Sequence, residues 1–356
     1  MVDLNKLVRE NVIKLTPYSS ARDEFNGKTG IFMDANENPF GNLNRYPDPY
    51  QKELKTAISK IKGIEDEKIF LGNGSDEIID LCFRIFCNPG VDKALTSTPT
   101  YGMYAVSASV NDVEVLNVPL NSSFQIDLKK VEPLLSDKNL KLVFICSPNN
   151  PTANTMYNDD VERIIAIFKG IVLIDEAYID FSDKPSFIKL VDRYQNLILM
   201  QTFSKAFGLA AARIGMAFSN PQIIKYFNKL KPPYNISTIN QKAALKKLTQ
   251  IDQFKSQVER IKKERVRLSA ILSKMKIIEK VYPSDANFLL VKVKNADYIY
   301  NTLVNKNIII RNRSSVVDNC LRITIGKRSE NDKLVTALKD ISLLRKCFLL
   351  IEMVPY

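Results

Sequence analysis

The 356-residue chain contains no histidine. That absence excludes histidine-based catalytic triads, histidine general bases and the usual zinc sites, which draw on histidine and cysteine. Cysteine is sparse as well. The five cysteines, Cys82, Cys87, Cys146, Cys320 and Cys347, are odd in number and include no CxxC pair. Three of them stand within apolar runs, as buried free thiols do. No metal site is expected from this set. No apolar run approaches the roughly 20 residues that span a bilayer. The opening stretch MVDLNKLVRENVIKL lacks the apolar core and cleavage site of a signal peptide, so the expected location is the cytoplasm. Internal repeats and low-complexity linkers are also absent. Proton transfer is left to Lys, Tyr, Asp, Glu or Cys, which raises the weight of a catalytic lysine.

What is present is ordinary for a soluble globular protein: 45% hydrophobic and 25% charged residues, in a chain long enough for two domains and a large core. The net charge of +12 comes from 51 basic and 39 acidic residues. It is densest from Lys242 to Arg267, which reads as a helix with a solvated basic face rather than a nucleic-acid site. Small anionic substrates suit the charge equally well.

Residues 1–15 read as an amphipathic helix, with Leu4, Leu7, Val8 and Val12 on one face. A helix is expected over Pro49–Ile61. IFLGNGSDEIIDLCFRIFC (69–87) reads as a strand, a glycine turn and a helix capped by Ser75 or Asp76. Short apolar runs follow at Lys93–Thr96, Val113–Val118, Leu142–Cys146, Ile171–Ile174, Leu197–Met200 and Ile214–Phe218, several separated by helical patterns. Apolar strands alternating with helices argue an α/β fold with a mainly parallel sheet. A helical stretch spans Ser237–Met275. Beyond it, Ala286–Val293, a helix over Ala296–Asn305, strand-like Ile308–Ile310 and Leu321–Ile325, and a helix over Leu334–Leu344 form a smaller α+β domain, joined by the N-terminal segment. The apolar CFLLIEMVPY at the end has no assigned role.

The chemistry gathers around Leu197–Arg213, LILMQTFSKAFGLAAAR. Lys205 directly follows an apolar strand. Read alone, an SK pair marks a solvated surface lysine, since lysine is seldom buried. A Schiff-base lysine needs such a place, because its amine must be desolvated to lose its proton near neutral pH. Pyridoxal phosphate (PLP) enzymes need that lysine, a carboxylate for the pyridine nitrogen and a phosphate cradle. Asp175 ends the strand IVLI, where a buried carboxylate wants a cationic partner such as a pyridinium. Tyr178, three residues on, can point the same way. Gly74, Ser75 and Asp76 open a helix whose N-terminus suits a phosphate, although glycine turns before helices are common. Ser204 and Arg213 can join them. Asn150, in SPNNPT, can aim an amide at a ligand oxygen or simply make a turn. Arg311 and Arg322 lie in the C-terminal domain, Arg322 inside the strand run CLRITIG, and suit a carboxylate or phosphate, or a structural ion pair.

These motifs resemble those of fold-type I PLP-dependent aminotransferases, and more narrowly of the histidinol-phosphate aminotransferase family. SPNNPT, DEAY and SKAFGLA carry the broad likeness; PYSSAR, NRYPDPY, PTYGMY and PPYNIS carry the narrow one. It runs from about Asn11 to about Ala337. The resemblance implies a large PLP-binding domain over 34–240 with a mostly parallel seven-stranded sheet, and a small substrate-closing domain from 1–33 and 241–356. It implies that Lys205 holds PLP as a Schiff base and then shuttles a proton, and that Asp175 pairs with the ring nitrogen. Asn150 and Tyr178 would bond the phenolic oxygen, and Tyr101 would stack on the ring. Gly74, Ser75, Asp76, Ser204 and Arg213 would surround the phosphate. Tyr46 would reach the partner subunit's cofactor in a homodimer. Tyr18 would line the substrate pocket, and Arg322 with Arg311 would bind glutamate's carboxylate or the substrate phosphate. The activity implied is ping-pong transfer of an amino group between glutamate and histidinol phosphate, in histidine biosynthesis. Threonine-phosphate decarboxylases and aromatic aminotransferases share the fold and are the alternatives.

The sequence departs from the pattern twice. Ala153 follows SPNNPT where the group has glycine, and Ala211 and Ala212 stand where the family reads Gly-Leu. A glycine lost at a tight turn would shift Asn150 if φ there is positive.

Overall fold

The computed structural model describes residues 3–18 and 30–351, the last of them, beyond Leu343, by backbone alone. Ser19–Arg22 of the PYSSAR motif and the side chains of CFLLIEMVPY lie outside the described residues.

Seven strands form one sheet: β1 (Ile69–Asn73), β2 (Lys93–Thr98), β3 (Glu114–Pro119), β4 (Leu140–Cys146), β5 (Ile171–Asp175), β6 (Leu197–Thr202) and β7 (Ile214–Ser219). Their order is β1-β7-β6-β5-β4-β2-β3. Only β7 runs against its neighbours, so the sheet is mostly parallel, as expected. Strands β5, β6 and β7 are buried at every position because helices cover both faces. The two-residue side-chain period splits each strand between two apolar layers. Ile171 and Leu173 join the layer with Tyr104, Phe144 and Cys146, whereas Val172 and Ile174 join the layer with Val143, Ile145 and Leu199.

Four antiparallel strands form a second sheet in the order β10-β11-β9-β8: β8 (Ile278–Val281), β9 (Phe288–Val293), β10 (Arg311–Asn312) and β11 (Cys320–Thr324). Leu289, Val291 and Leu321 pack there against Ile299, Leu303 and Leu338 of the flanking helices.

Several local expectations shift. The N-terminal stretch is two short turns, Leu4–Lys6 and Glu10–Lys14, broken at an extended Arg9. Its apolar face does not join the small sheet. Leu4, Val8 and Val12 pack with Phe70, Ile79 and Phe227 of the large unit. Asn5 Oδ1 accepts from Gln222 and Tyr226, and Arg9 N–H donates to Ile85. The helix expected from Pro49 begins at Lys52, because Gln51 is left-handed (φ 49°) and Asp48 accepts from the Lys52 N–H. The expected 237–275 helix is two, Thr238–Leu248 and Ile251–Leu272. The second bridges the units: Phe254 and Val258 belong to the large core, Leu268 and Leu272 to the small one. Packing therefore changes partner within that helix rather than at residue 240. Ile308–Ile310 is not a strand; pairing begins at Arg311, opposite Arg322.

Candidate active site

Strands β4, β5 and β6 are parallel neighbours, so their carboxyl ends, and the loops that follow, share one edge of the sheet. Cys146 pairs with Asp175 in register, and Asp175 with Met200. That edge carries a cavity of about 130 Å³ lined by Ser75, Asp76, Tyr101, Asn150, Asp175, Tyr178, Ser204, Lys205 and Arg213, together with Cys146, Ala177, Thr202 and Ala210. Nine positions foreseen from sequence thus meet in one place, contributed by the segments that end or follow five strands, β1, β2, β4, β5 and β6.

Lys205 lies in the turn after β6. Its Nζ stands 5.6 Å from the centroid of the Tyr178 ring. Lys205 is exposed as a residue, and partial desolvation of its amine lowers its pKa, helped by the positive charge of Arg322 and opposed by Asp175 and Asp76. A larger neutral fraction near pH 7 is what a nucleophilic amine needs.

Asp175 shares its face of β5 with Ile171 and Leu173, which directs its carboxylate toward Tyr104. Oδ2 accepts from the Tyr104 hydroxyl at 2.7 Å, and Oδ1 from the Ala177 N–H at 3.0 Å. Burial pushes its pKa up to about 6, against those two hydrogen bonds and the charge of Lys205.

The turn between β1 and its helix is shaped by close approach. Gly74, at φ 80°, occupies the N-cap, and the helix begins at Ser75, so neither Ser75 nor Asp76 caps it. A Cβ on Gly74 would sit 2.4 Å from Arg213 Nη2, and one on Gly215 would sit 2.5 Å from the Ser75 nitrogen. With no side-chain cap, the first N–H groups of the Ser75–Phe86 helix stay available to an anion. Arg213, itself left-handed at φ 51°, donates to Asp76 Oδ2 at 3.2 Å, and Tyr101 donates to Asp76 Oδ1 at 3.1 Å.

The twin asparagines divide their work. Asn149 is buried and clamps the turn, accepting from Thr100 and donating to Pro99 and Thr152. Asn150 lines the cavity, and its Oδ1 accepts from Arg322 Nη1 at 2.5 Å. Ala153 holds φ 69°, so alanine occupies the left-handed turn without displacing Asn150 from the cavity. Arg322, on β11, stacks over Phe288 at 5.3 Å, and Phe288 meets Tyr178 edge-on at 5.1 Å.

Five foreseen residues stand outside the cavity lining: Gly74 and Arg322, whose contacts are given above, and Tyr18, Tyr46 and Arg311. Tyr18 is 73% exposed. Tyr46 stacks on Tyr234 at 4.3 Å. Arg311 is exposed and lies opposite Arg322 across β10–β11. Sequence reading missed Tyr104, Cys146 and Arg313. The second tyrosine of PTYGMY, three residues after the first, was the available signal for Tyr104. Arg313 sits one strand repeat beyond Arg311; burial and the charges of Arg322 and Arg311 lower its pKa, and its Nε is buried without a hydrogen-bond partner. Only its spacing from Arg311 marked it.

A family model described as aminotransferase class I and II matches residues 20–338. The histidinol-phosphate aminotransferase of Parabacteroides distasonis is 51% identical over 96% of this chain and 100% of its own. That of Christiangramia forsetii is 49% identical over 95% and 98%. The chain belongs to the histidinol-phosphate aminotransferase family of class I and II aminotransferases. Among solved structures, histidinol-phosphate aminotransferase from Clostridium acetobutylicum aligns with TM-score 0.78 and 28% identity, over 85% of this chain and 91% of that one. In this aminotransferase, then, the cavity at the carboxyl edge of β4–β6 is the place to look for amino-group chemistry.

Proposed function

We propose that the protein binds PLP at Lys205 and transfers an amino group between glutamate and histidinol phosphate by a ping-pong mechanism. The observation that carries this reading is the juxtaposition of Lys205 with the buried Asp175 in one cavity beside the Gly74–Ser75 helix N-terminus. The residues fit the cofactor on their own chemistry. A buried carboxylate with a raised pKa suits a protonated ring nitrogen, an uncapped helix start with Arg213 and Ser204 suits a phosphate, and a lysine of lowered pKa suits an aldehyde.

When bound, PLP supplies an electron sink that makes a substrate Cα–H acidic. The chain's residues do the rest. Lys205 holds the cofactor and, once released, its Nζ takes the Cα proton and returns it one carbon away. Asp175 keeps the ring nitrogen protonated. Asn150 and Tyr178 orient the phenolic oxygen, and Tyr101 covers the ring. Gly74, Ser75, Asp76, Ser204 and Arg213 surround the phosphate, with Asp76 orienting Arg213. Arg322, helped by Arg311 and with Arg313 adding charge, receives either a carboxylate or a phosphate, which is how one pocket serves both substrates. Tyr18, exposed outside the cavity, is available to the outer part of a bound substrate. A small unit built on β8–β11 brings Arg322 to substrate.

The same reading makes the protein a homodimer working in the cytoplasm. Ile31, Met33 and Phe40 are each more than 80% exposed, and Leu43 is 68% exposed. Apolar side chains left in water in one segment favour a partner surface, and Tyr46 at its end would reach the second subunit's cofactor. No described helix is long and apolar enough to cross a membrane.

The test is the visible absorbance of the purified protein during titration. Bleaching of the cofactor band by low histidinol phosphate, reversed by 2-oxoglutarate, is expected. A band that ignores histidinol phosphate but responds to threonine phosphate or phenylalanine would hand the function to a decarboxylase or an aromatic aminotransferase.

A further inference from the structure

A carboxylate sunk at the end of a central strand is strongly basic unless something offsets the loss of water. Asp175 is offset from behind by a tyrosine. Tyr104 is 1% exposed and sits in the first turn of the helix Met103–Val110. Its ring stacks on Phe144 of β4, with centroids 4.9 Å apart at 19°, and meets Tyr101 edge-on at 5.6 Å. Its hydroxyl donates to Asp175 Oδ2 at 2.7 Å. With Oδ1 fixed by the Ala177 N–H at 3.0 Å, both oxygens are tied and the plane of the carboxylate is set. Burial and the Asp175 charge raise the pKa of Tyr104, so it stays a neutral donor.

We propose that Tyr104 is a positioning residue: its hydroxyl orients Asp175 and draws off enough of the carboxylate's basicity to leave the shared proton on the ring nitrogen of bound PLP. This rests on the proposed function. A proton between a carboxylate and a pyridine goes to the more basic partner. Of the hydrogen bonds that favour ionised Asp175, the one from Tyr104 is the largest. Without it, Oδ2 is a buried acceptor lacking its donor, the carboxylate takes the proton, and the ring loses its pull on the substrate's electrons.

The experiment loads wild-type protein and Tyr104→Phe with PLP labelled with nitrogen-15 in the ring, and records the nitrogen shift beside kcat and KM. Phenylalanine keeps the stack on Phe144 and removes only the hydroxyl. The wild type should show a protonated ring nitrogen. Tyr104→Phe should move the shift toward unprotonated pyridine and lower kcat about tenfold, or about 1.4 kcal/mol, with KM for glutamate nearly unchanged. In an Asp175→Asn background the same change should do nothing further to the shift. A folded, loaded Tyr104→Phe protein with wild-type shift and kcat overturns the proposal, as does an equal effect of Phe144→Leu, which loosens the stack but keeps the hydroxyl. Should Tyr104→Phe not fold, 4-aminophenylalanine at 104, near-isosteric but a weaker donor, should move the shift toward unprotonated pyridine; an unmoved shift overturns the proposal equally. A wild type that takes up no PLP refutes the proposed function itself, which is a different result from an unchanged variant.

Discussion

Asp175 and Glu176 are consecutive, both buried at the end of β5, and held in opposite ways. Glu176 is closed in by neutral donors: Ser186 Oγ at 2.6 Å, the Phe187 N–H at 2.8 Å and Gln201 Nε2 at 2.8 Å. Asp175 has two donors behind it and lines the cavity that also holds Lys205. Burial raises both, Asp175 to about 6 and Glu176 to about 7. Similar groups in similar burial are thus separated by which side is left open. A closed network ties the loop after β5 to the start of the Phe187 turn and to β6, whereas the open one keeps an acceptor for a ligand. Alternation along the strand creates the difference, since successive residues leave on opposite faces.

The comparison can be broken or sharpened by substitution. The largest effect is expected at Lys205, which lines the cavity with the open carboxylate. Lys205→Ala should abolish turnover and the covalent cofactor in a steady-state assay and by mass after borohydride reduction; measurable transamination would break the assignment. Next is Asp175→Asn, which should lower kcat about 1000-fold, on the order of 4 kcal/mol, as loss of a buried electrostatic partner does. Unchanged turnover would show the two carboxylates to be equivalent.

The same substitution should make the apoprotein more stable. The folded pKa of Asp175, about 6, lies above the unfolded value. Its stabilising contribution is therefore complete below about pH 4 and lost as the pH rises through 6. Apo Asp175→Asn should match wild type near pH 4 and exceed it by about 3 kcal/mol above pH 7, the hydrogen bonds to Asp175 being already contained in its raised pKa. Denaturant midpoints at the two pH values measure this. A gain at pH 4 as large as at pH 7 would contradict the raised pKa.

Glu176→Ala should behave in reverse. It leaves three donors unsatisfied and should cost about 3 kcal/mol of stability, with kcat per folded molecule within about threefold of wild type. A large kcat loss with intact stability would make Glu176 part of the site. The smallest effect is expected at Ala153. Alanine at φ 69° is strained, and Ala153→Gly should raise stability by about 0.5–1 kcal/mol, the relief being partly cancelled by glycine's freer unfolded chain. A loss instead would show that the buried methyl contributes more by packing than its backbone costs.

Much of the site was legible because its residues follow strands. Lys205, Asp175 and Asn150 each stand just past or at the end of an apolar run, and a mainly parallel sheet brings such ends to one edge. What was not legible depended on contacts between distant segments. Tyr104 reads as one more apolar helix residue until Phe144 and Asp175 are beside it. The N-terminal stretch carries an apolar face in its sequence, but nothing in it says which core that face will cover. Helix ends moved by a few residues where backbone conformation intervened, as at Gln51 and Gly74.

The sequence by itself determined the α/β class, the order of its strands along the chain, and a chemistry restricted to lysine, tyrosine, carboxylates and thiols by the lack of histidine. It also determined that Ala153 would be strained if the turn were left-handed. Only the tertiary structure decided that it is left-handed, that Asn149 clamps the turn behind Asn150, that Arg322 reaches across to Asn150 from the second sheet, and that Asp175 is tied to Tyr104 while its neighbour is closed away. The reason is physical. Periodicity is a local property carried by each segment, whereas the pKa of a buried group depends on what other segments place within a few ångströms of it.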